Sequence, residues 1–135
     1  MTASLRAPNA CSIVRKPEDH RHGDRRSHAP PWSEKIVVND QIVGTLICQP
    51  PGHPTDRHYH LVDEWWFIVE GAIDWEIENH AETIHARAGD FVFAPALHYH
   101  HIRPTGDRPS IRLAITPPGE FHRHERPAGA GPNRA

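Results

Sequence analysis

Between residues 35 and 116 a proline or glycine interrupts the chain every ten to twenty residues or sooner. No window carries the apolar repeat at i, i+3, i+4 and i+7 that an amphipathic helix needs. What remains is a series of short runs bounded by turn residues. Ile36-Val38 and Gln41-Cys48 flank Asn39-Asp40, a plausible tight hairpin turn, and Glu64-Glu70 and Ala72-Glu78 flank Gly71. Thr83-Ala86, Phe91-Ala94, Tyr99-Arg103 and Ile111-Thr116 follow. Eight or so strands in this length predict a small all-β sandwich or barrel in one domain.

The two ends differ in kind. Residues 1–34 hold four prolines and a charged run from Glu18 to His28, and residues 119–135 are rich in proline, glycine and arginine. Such segments have too little apolar surface to offset the entropy of ordering them. The sequence therefore predicts an N-terminal arm over 1–34, a packed domain over 35–118 and a flexible tail over 119–135. Ser12-Arg15 is the one part of the N-terminal arm with strand character, fit to extend a sheet of its own or a partner subunit.

Charge narrows the functional classes. Fifteen Lys and Arg against seventeen Asp and Glu give a net charge of -2, without the basic stripe of a nucleic-acid binder. The longest apolar run is Trp65-Val69, too short to span a membrane. The start has no apolar stretch after a basic end, so no secretory signal is read and a cytoplasmic location is expected. Cys11 and Cys48 make no disulfide framework or zinc knuckle, and Cys48 reads as a small buried hydrophobe.

Alternation assigns faces. Ile73 to Glu78 alternates apolar and acidic residues, a half-buried strand, whereas Glu64 to Val69 carries large apolar groups on both faces. An 82-residue sandwich would expose the outer side of the second strand, so either the N-terminal arm or a second subunit must cover it. A homodimer is the expectation.

Histidine is 13 of 135 residues, and one group differs from the rest. His58, His60 and Glu64 share parity, so in an extended segment they point to one side and lead into the most apolar strand. Two imidazoles and a carboxylate on one face are the ligand set of a metal centre with open positions. The pairs His20-x-His22 and His122-x-His124 lie in polar arms and read as solvated, with weak affinity for stray metal. A second element, Gly89 to His101, reads as strand, proline turn and returning strand, and brings one histidine back to the same interior.

These two elements resemble the cupin superfamily. Gly52 to Gly71 follows its first motif, G-x5-H-x-H-x3-E-x6-G, without deviation. Gly89, Pro95 and His100 follow the second, which departs at Leu97, where the family has glycine, and at Pro104, where it has asparagine. The resemblance covers about residues 36–118 and implies a single RmlC-like jelly-roll barrel. By position it implies metal ligands His58, His60, Glu64 and His100, with His98 a distant second to His100 and His101 pointing away. His53, His80 and His85 read as surface residues.

Three neutral imidazoles and one carboxylate would saturate tetrahedral zinc, but leave iron(II), manganese or nickel with positions for substrate and dioxygen or water. The order of preference is iron, then manganese or nickel, then zinc. Parity adds Trp66 and Ile68 to the pocket wall, with Trp75 and Tyr99 as further candidates, a lining suited to a small aromatic or enol-like chelator. Among enzymatic cupins the chain is similar to the small extradiol dioxygenases that include 3-hydroxyanthranilate dioxygenase. That group binds its substrate carboxylate with arginines at the positions here held by Pro54 and Pro104, and has no counterpart of His60. Arg57 and Arg103 have the wrong parity to substitute. The expectation is therefore a metal-dependent dioxygenase acting on a different small molecule, against a metal-cupin isomerase or lyase, or a non-catalytic binding cupin.

Overall fold

The computed structural model describes residues 29–119 and 121–127, and the readings of Cys11, Ser12-Arg15 and His20-x-His22 lie outside them. Ten strands occur in this order: β1 (Trp32–Val38), β2 (Val43–Gln49), β3 (Tyr59–His60), β4 (Glu64–Glu70), β5 (Ala72–Ile77), β6 (Ile84–Arg87), β7 (Phe91–Ala94), β8 (His100–Thr105), β9 (Ser110–Thr116) and β10 (His122–Arg123). There is no helix among the described residues. The strands form a five-stranded sheet in the order β1-β2-β9-β4-β7, a three-stranded sheet β6-β5-β8 and a two-stranded ribbon β10-β3. All pairings are antiparallel, so this is the expected all-β jelly roll.

The core lies between the two larger sheets. Trp66, Ile68, Val92, Ala94 and Ala114 from one meet Ile73, Trp75, Ile77, Ala86 and Ile102 from the other. Period-two alternation produces this face. A second cluster, Trp32, Leu46, Cys48 and Ile111, packs with Ile36, Val69 and Leu113 on the opposite side of the five-stranded sheet. Cys48 is there as a small buried hydrophobe, its thiol pKa raised by burial and by the charge of Glu70.

Boundaries shift at three places. β1 reaches back to Trp32, which pairs with Cys48 and is buried, so the packed domain begins before residue 35. The first hairpin turn is wider than Asn39-Asp40. Asn39 Oδ1 accepts the N–H groups of Gln41 and Ile42 at 2.8 and 2.9 Å, so residues 39–42 form the connection. The segment read as a flexible tail contributes β10, which pairs with β3 through His122 opposite His60 and Arg123 opposite Tyr59.

Gly71 fixes the β4–β5 turn. Its φ is +82°, and a Cβ there would lie 2.8 Å from Ser110 Cα and 2.9 Å from the Pro109 carbonyl oxygen. Both obstacles are backbone, so only glycine fits. The outer face of β4 and β7 carries Trp65, Phe91 and Phe93, about half exposed, with Phe67 and Phe91 ring centroids 4.9 Å apart. That is the apolar face for which the sequence demanded a cover.

Candidate metal centre

Three elements deliver the site. His58 and His100 exchange backbone hydrogen bonds, His58 N–H to the His100 carbonyl at 3.1 Å and His100 N–H to the His58 carbonyl at 2.7 Å. His60 ends β3, and its carbonyl accepts the Leu97 N–H at 2.8 Å, tying the first motif to the proline turn of the second. Glu64 opens β4 opposite Ala94. Ligand atoms of His58, His60 and His100 lie within 4.8 Å of one another.

The donor atoms face a common point. His58 Nε2 and His100 Nε2 are 3.1 Å apart. Glu64 Oε1 stands 2.8 Å from His60 Nδ1 and 3.8 Å from His100 Nε2. Both His60 Nδ1 and Glu64 Oε1 are buried without a hydrogen-bond partner, although they approach so closely. A buried ring nitrogen and carboxylate oxygen that converge at 2.8 Å without hydrogen-bond geometry are a pair that a cation between them would satisfy. The residues fit a metal ion.

Electrostatics suit the same role. Burial, together with the positive potential of neighbouring histidines, lowers His100 to about 3; burial and His122 lower His58 to about 4. Both imidazoles are therefore neutral at physiological pH, the form that ligates metal. His58 Nδ1, on the side away from His100, lies 3.2 Å from the Asp56 backbone carbonyl, the kind of contact that orients a ligating imidazole, with the Asp56 carboxylate 3.4 Å away as a charge partner.

The expected pocket wall is only partly where the sequence put it. The Trp66 ring meets His100 edge-on at 5.2 Å and Trp75 at 5.3 Å. Trp75 and Ile68 are fully buried deeper in the core, and Trp75 Nε1 has no hydrogen-bond partner. Tyr99 is elsewhere. Its N–H bonds to Glu78, its hydroxyl donates to the His124 carbonyl, and its ring packs on Tyr59 and under Arg57 and Arg126. It alternates with His100, so it lines an external cleft of about 310 Å³ with Arg57, Glu78 and His80.

The other histidines mostly follow the expected sides. His101 lies 4.0 Å from Glu76, and His85 pairs with Asp74 at 2.8 Å on the surface. His98 Nδ1 is 3.0 Å from the Ala96 carbonyl, outside the cluster. Arg57 stacks on Tyr99 and Arg103 pairs with Glu76 at 3.0 Å, so neither faces the barrel interior. His122 breaks the pattern: its ring stacks on His58 with centroids 3.8 Å apart. Nothing in the sequence says that the tail returns to the barrel, because its docking depends on contacts made across 25 to 68 residues.

A segment of irregular backbone holds it there. The Leu61 N–H donates to the Phe121 carbonyl, and Tyr59 and Tyr99 hydroxyls donate to the carbonyls of Glu125 and His124. Arg126 makes a fork with both Glu78 carboxylate oxygens at 2.8 Å and donates to the Leu97 carbonyl.

Comparison with known proteins agrees with this architecture. A curated 3-hydroxyanthranilate 3,4-dioxygenase of Xanthomonas euvesicatoria pv. vesicatoria is 31% identical over 101 residues, covering 73% of this chain and 53% of that one. The dimethylsulfoniopropionate lyase DddQ of Ruegeria pomeroyi is 31% identical over 78 residues, 58% of this chain and 38% of that one. The chain thus spans about half the length, or less, of these curated relatives. An RmlC-like cupin with a double-stranded β-helix fold from Methanocaldococcus jannaschii superposes with a TM-score of 0.61 at 19% identity, over 69% of this chain and 84% of that one. The crystal structure of DddQ superposes with the same TM-score at 23% identity, over 73% and 53%. Residues 45–116 match the cupin domain model, more than half of the chain, and the protein belongs to the cupin family.

Proposed function

We propose that the protein is a metal-dependent dioxygenase for a small aromatic or enol-like molecule, with His58, His60, Glu64 and His100 holding one divalent ion. The convergence of these four side chains, with His60 Nδ1 and Glu64 Oε1 orphaned at 2.8 Å, carries the reading. Iron(II) is the first choice, manganese or nickel next and zinc last, because an ion with free cis positions supplies Lewis acidity and one-electron chemistry toward dioxygen.

The chain's own residues do the rest. Burial keeps His58 and His100 unprotonated. The Asp56 backbone carbonyl holds the His58 ring in orientation. Trp66 walls the centre with an apolar edge that excludes water. Pro54 and Pro104 stand where arginines would bind a 3-hydroxyanthranilate carboxylate, and Arg57 and Arg103 face outward, which argues for a different substrate. A second reading is a lyase or isomerase that uses the ion as a Lewis acid alone; the relation to DddQ favours it. A binding cupin without turnover is the third.

The working unit we infer is a cytoplasmic homodimer joined through the face of Trp65, Phe91 and Phe93. Phe91→Asp with Phe93→Asp would then sediment as a monomer, and an unchanged profile removes that interface.

Elemental analysis of untagged protein, purified without chelating resin, tests the centre. The expected result is iron, manganese or nickel bound in the wild type, with one equivalent fewer in His58→Ala/Glu64→Ala. Unchanged metal content overturns the ligand assignment. Oxygen uptake with catechol and enol substrates then separates the dioxygenase from the Lewis-acid reading, because only the former consumes dioxygen.

A further inference from the structure

A second group of donors lies outside the barrel. Asp56, His122 and His124 are exposed, and one ligand atom from each lies within 4.8 Å of the others. His122 Nε2 is 3.1 Å from Asp56 Oδ2 and 3.4 Å from His124 Nε2, and His124 Nε2 also contacts Asp56 Oδ2. We propose that these three residues form a second divalent-metal site at the outer lip of the barrel, separate from the buried centre.

Geometry and chemistry both point there. An ion about 2.1 Å from three donors at tetrahedral angles spaces them roughly 3.4 Å apart; His122 Nε2 stands near that spacing from both other donors, while His124 Nε2 and Asp56 Oδ2 lie closer together and would part to admit the ion. Each imidazole can donate one proton to Asp56 Oδ2, which leaves the 3.4 Å approach of the two Nε2 atoms unsatisfied; one cation satisfies all three contacts. Two imidazole nitrogens and one carboxylate oxygen select borderline ions such as zinc, nickel or copper over magnesium and calcium, which prefer all-oxygen shells. Three protein ligands also leave a fourth position open to water or to an oxygen of a ligand.

The donors are positioned by contacts independent of any ion. β10 fixes His122 opposite His60, the Tyr99 hydroxyl holds the His124 carbonyl, and the Arg126–Glu78 fork anchors the segment beyond. Asp56 is held from the other side, since its Oδ1 faces His58 Nδ1 at 3.4 Å. Asp56 therefore belongs to both sites: its backbone carbonyl orients His58 of the inner centre and one carboxylate oxygen ligates the outer ion. The His58 and His122 rings, stacked at 3.8 Å, form the wall between them.

Calorimetric titration of metal-free full-length protein with zinc tests this, with magnesium as the control. Two zinc equivalents are expected, and no magnesium. His124→Ala, whose ring centroid is 6.3 Å from that of His58, is expected to lose one equivalent and weaken the outer site at least tenfold while keeping the inner one. His60→Ala/His100→Ala, checked for folding by circular dichroism, is expected to keep the outer equivalent. His20→Ala/His22→Ala is expected to keep both. A second equivalent that survives His124→Ala overturns the outer site, as does a single equivalent lost only in His60→Ala/His100→Ala. A single equivalent lost only in His124→Ala upholds the outer site and instead defeats the buried centre.

Discussion

The buried and the exposed histidine groups use the same donors and differ in what surrounds them. Inside, His100 is 1% exposed and His58 and His60 side chains 12% and 13%. There, low polarity presses protons off the imidazoles. Outside, His122 and His124 side chains are 39% and 60% exposed, and the carboxylate is the perturbed partner. Burial alone would raise Asp56, but hydrogen bonds from His124 and His122 hold it down at about 2. Burial sets the inner site's readiness for metal; proximity sets the outer one's. The inner donors are built into the barrel walls, whereas the outer ones depend on a short segment returning from the chain's end.

The largest effect separates the two by stability. Removing His58 and Glu64 should abolish the proposed inner binding, and an ion present at a thousand times its dissociation constant stabilises a fold by about 4 kcal/mol. The double variant should therefore melt at nearly the same temperature with or without added iron(II), while the wild type rises with metal. A gain from iron(II) that survives in His58→Ala/Glu64→Ala/His124→Ala, where the outer site is removed as well, would show that the inner ligands lie elsewhere.

A smaller effect isolates the returning segment. Arg126→Ala removes a forked ion pair and the bond to the Leu97 carbonyl, and should cost about 2 kcal/mol. Hydrogen exchange should quicken at the Leu61 N–H, which bonds Phe121, and stay slow in the core strands. Exchange at Leu61 in Arg126→Ala no faster than in the wild type would show that the segment is not anchored through Arg126.

Acid should act in the same place. The hydrogen bond from Arg126 lowers the Glu78 pKa against the opposing pull of burial, with the Tyr99 N–H, and Arg57 nearby, adding to the lowering. A depressed folded pKa means that this stabilisation is complete above the ordinary glutamate range. It is lost as pH falls through the lower folded value. The gap between Arg126→Ala and wild type should therefore narrow as pH drops below the ordinary glutamate value of about 4.5. A gap that stays constant over that window would place the stabilisation outside the pair.

What the sequence revealed follows the same division. β4 and β7 are read to the residue because alternation, Gly71 and the turn residues encode them locally. His58, His60 and Glu64 are legible because spacing along one extended segment is a local property. His100 needed the family resemblance, since its partner His58 is 42 residues away. Tyr99 was misplaced because a residue next to a turn has no parity until the turn's geometry is known. Asp56 and the His122-x-His124 pair were visible as residues, but their meeting rests on 66- and 68-residue contacts that no local pattern records.

The smallest effect tests the turn that joins both sites. Leu97 stands where the family has glycine, and its φ is +69°, in the left-handed region. Its N–H bonds the His60 carbonyl and its own carbonyl takes Arg126, so one strained residue links the inner histidine cluster to the outer segment. A side chain in that region costs about 1–2 kcal/mol, while glycine there raises the entropy lost on folding by about 0.5–1 kcal/mol. The two nearly cancel, and the Leu97 side chain is 37% exposed, so Leu97→Gly should change stability by less than about 1 kcal/mol. Leu97→Ala is the sharper comparison, because it keeps the strain and removes the same packing. The glycine variant should be the more stable of the two by about 0.5–1 kcal/mol in chemical denaturation. If alanine proves as stable as glycine, the turn is unstrained, and the two sites are joined by an ordinary loop.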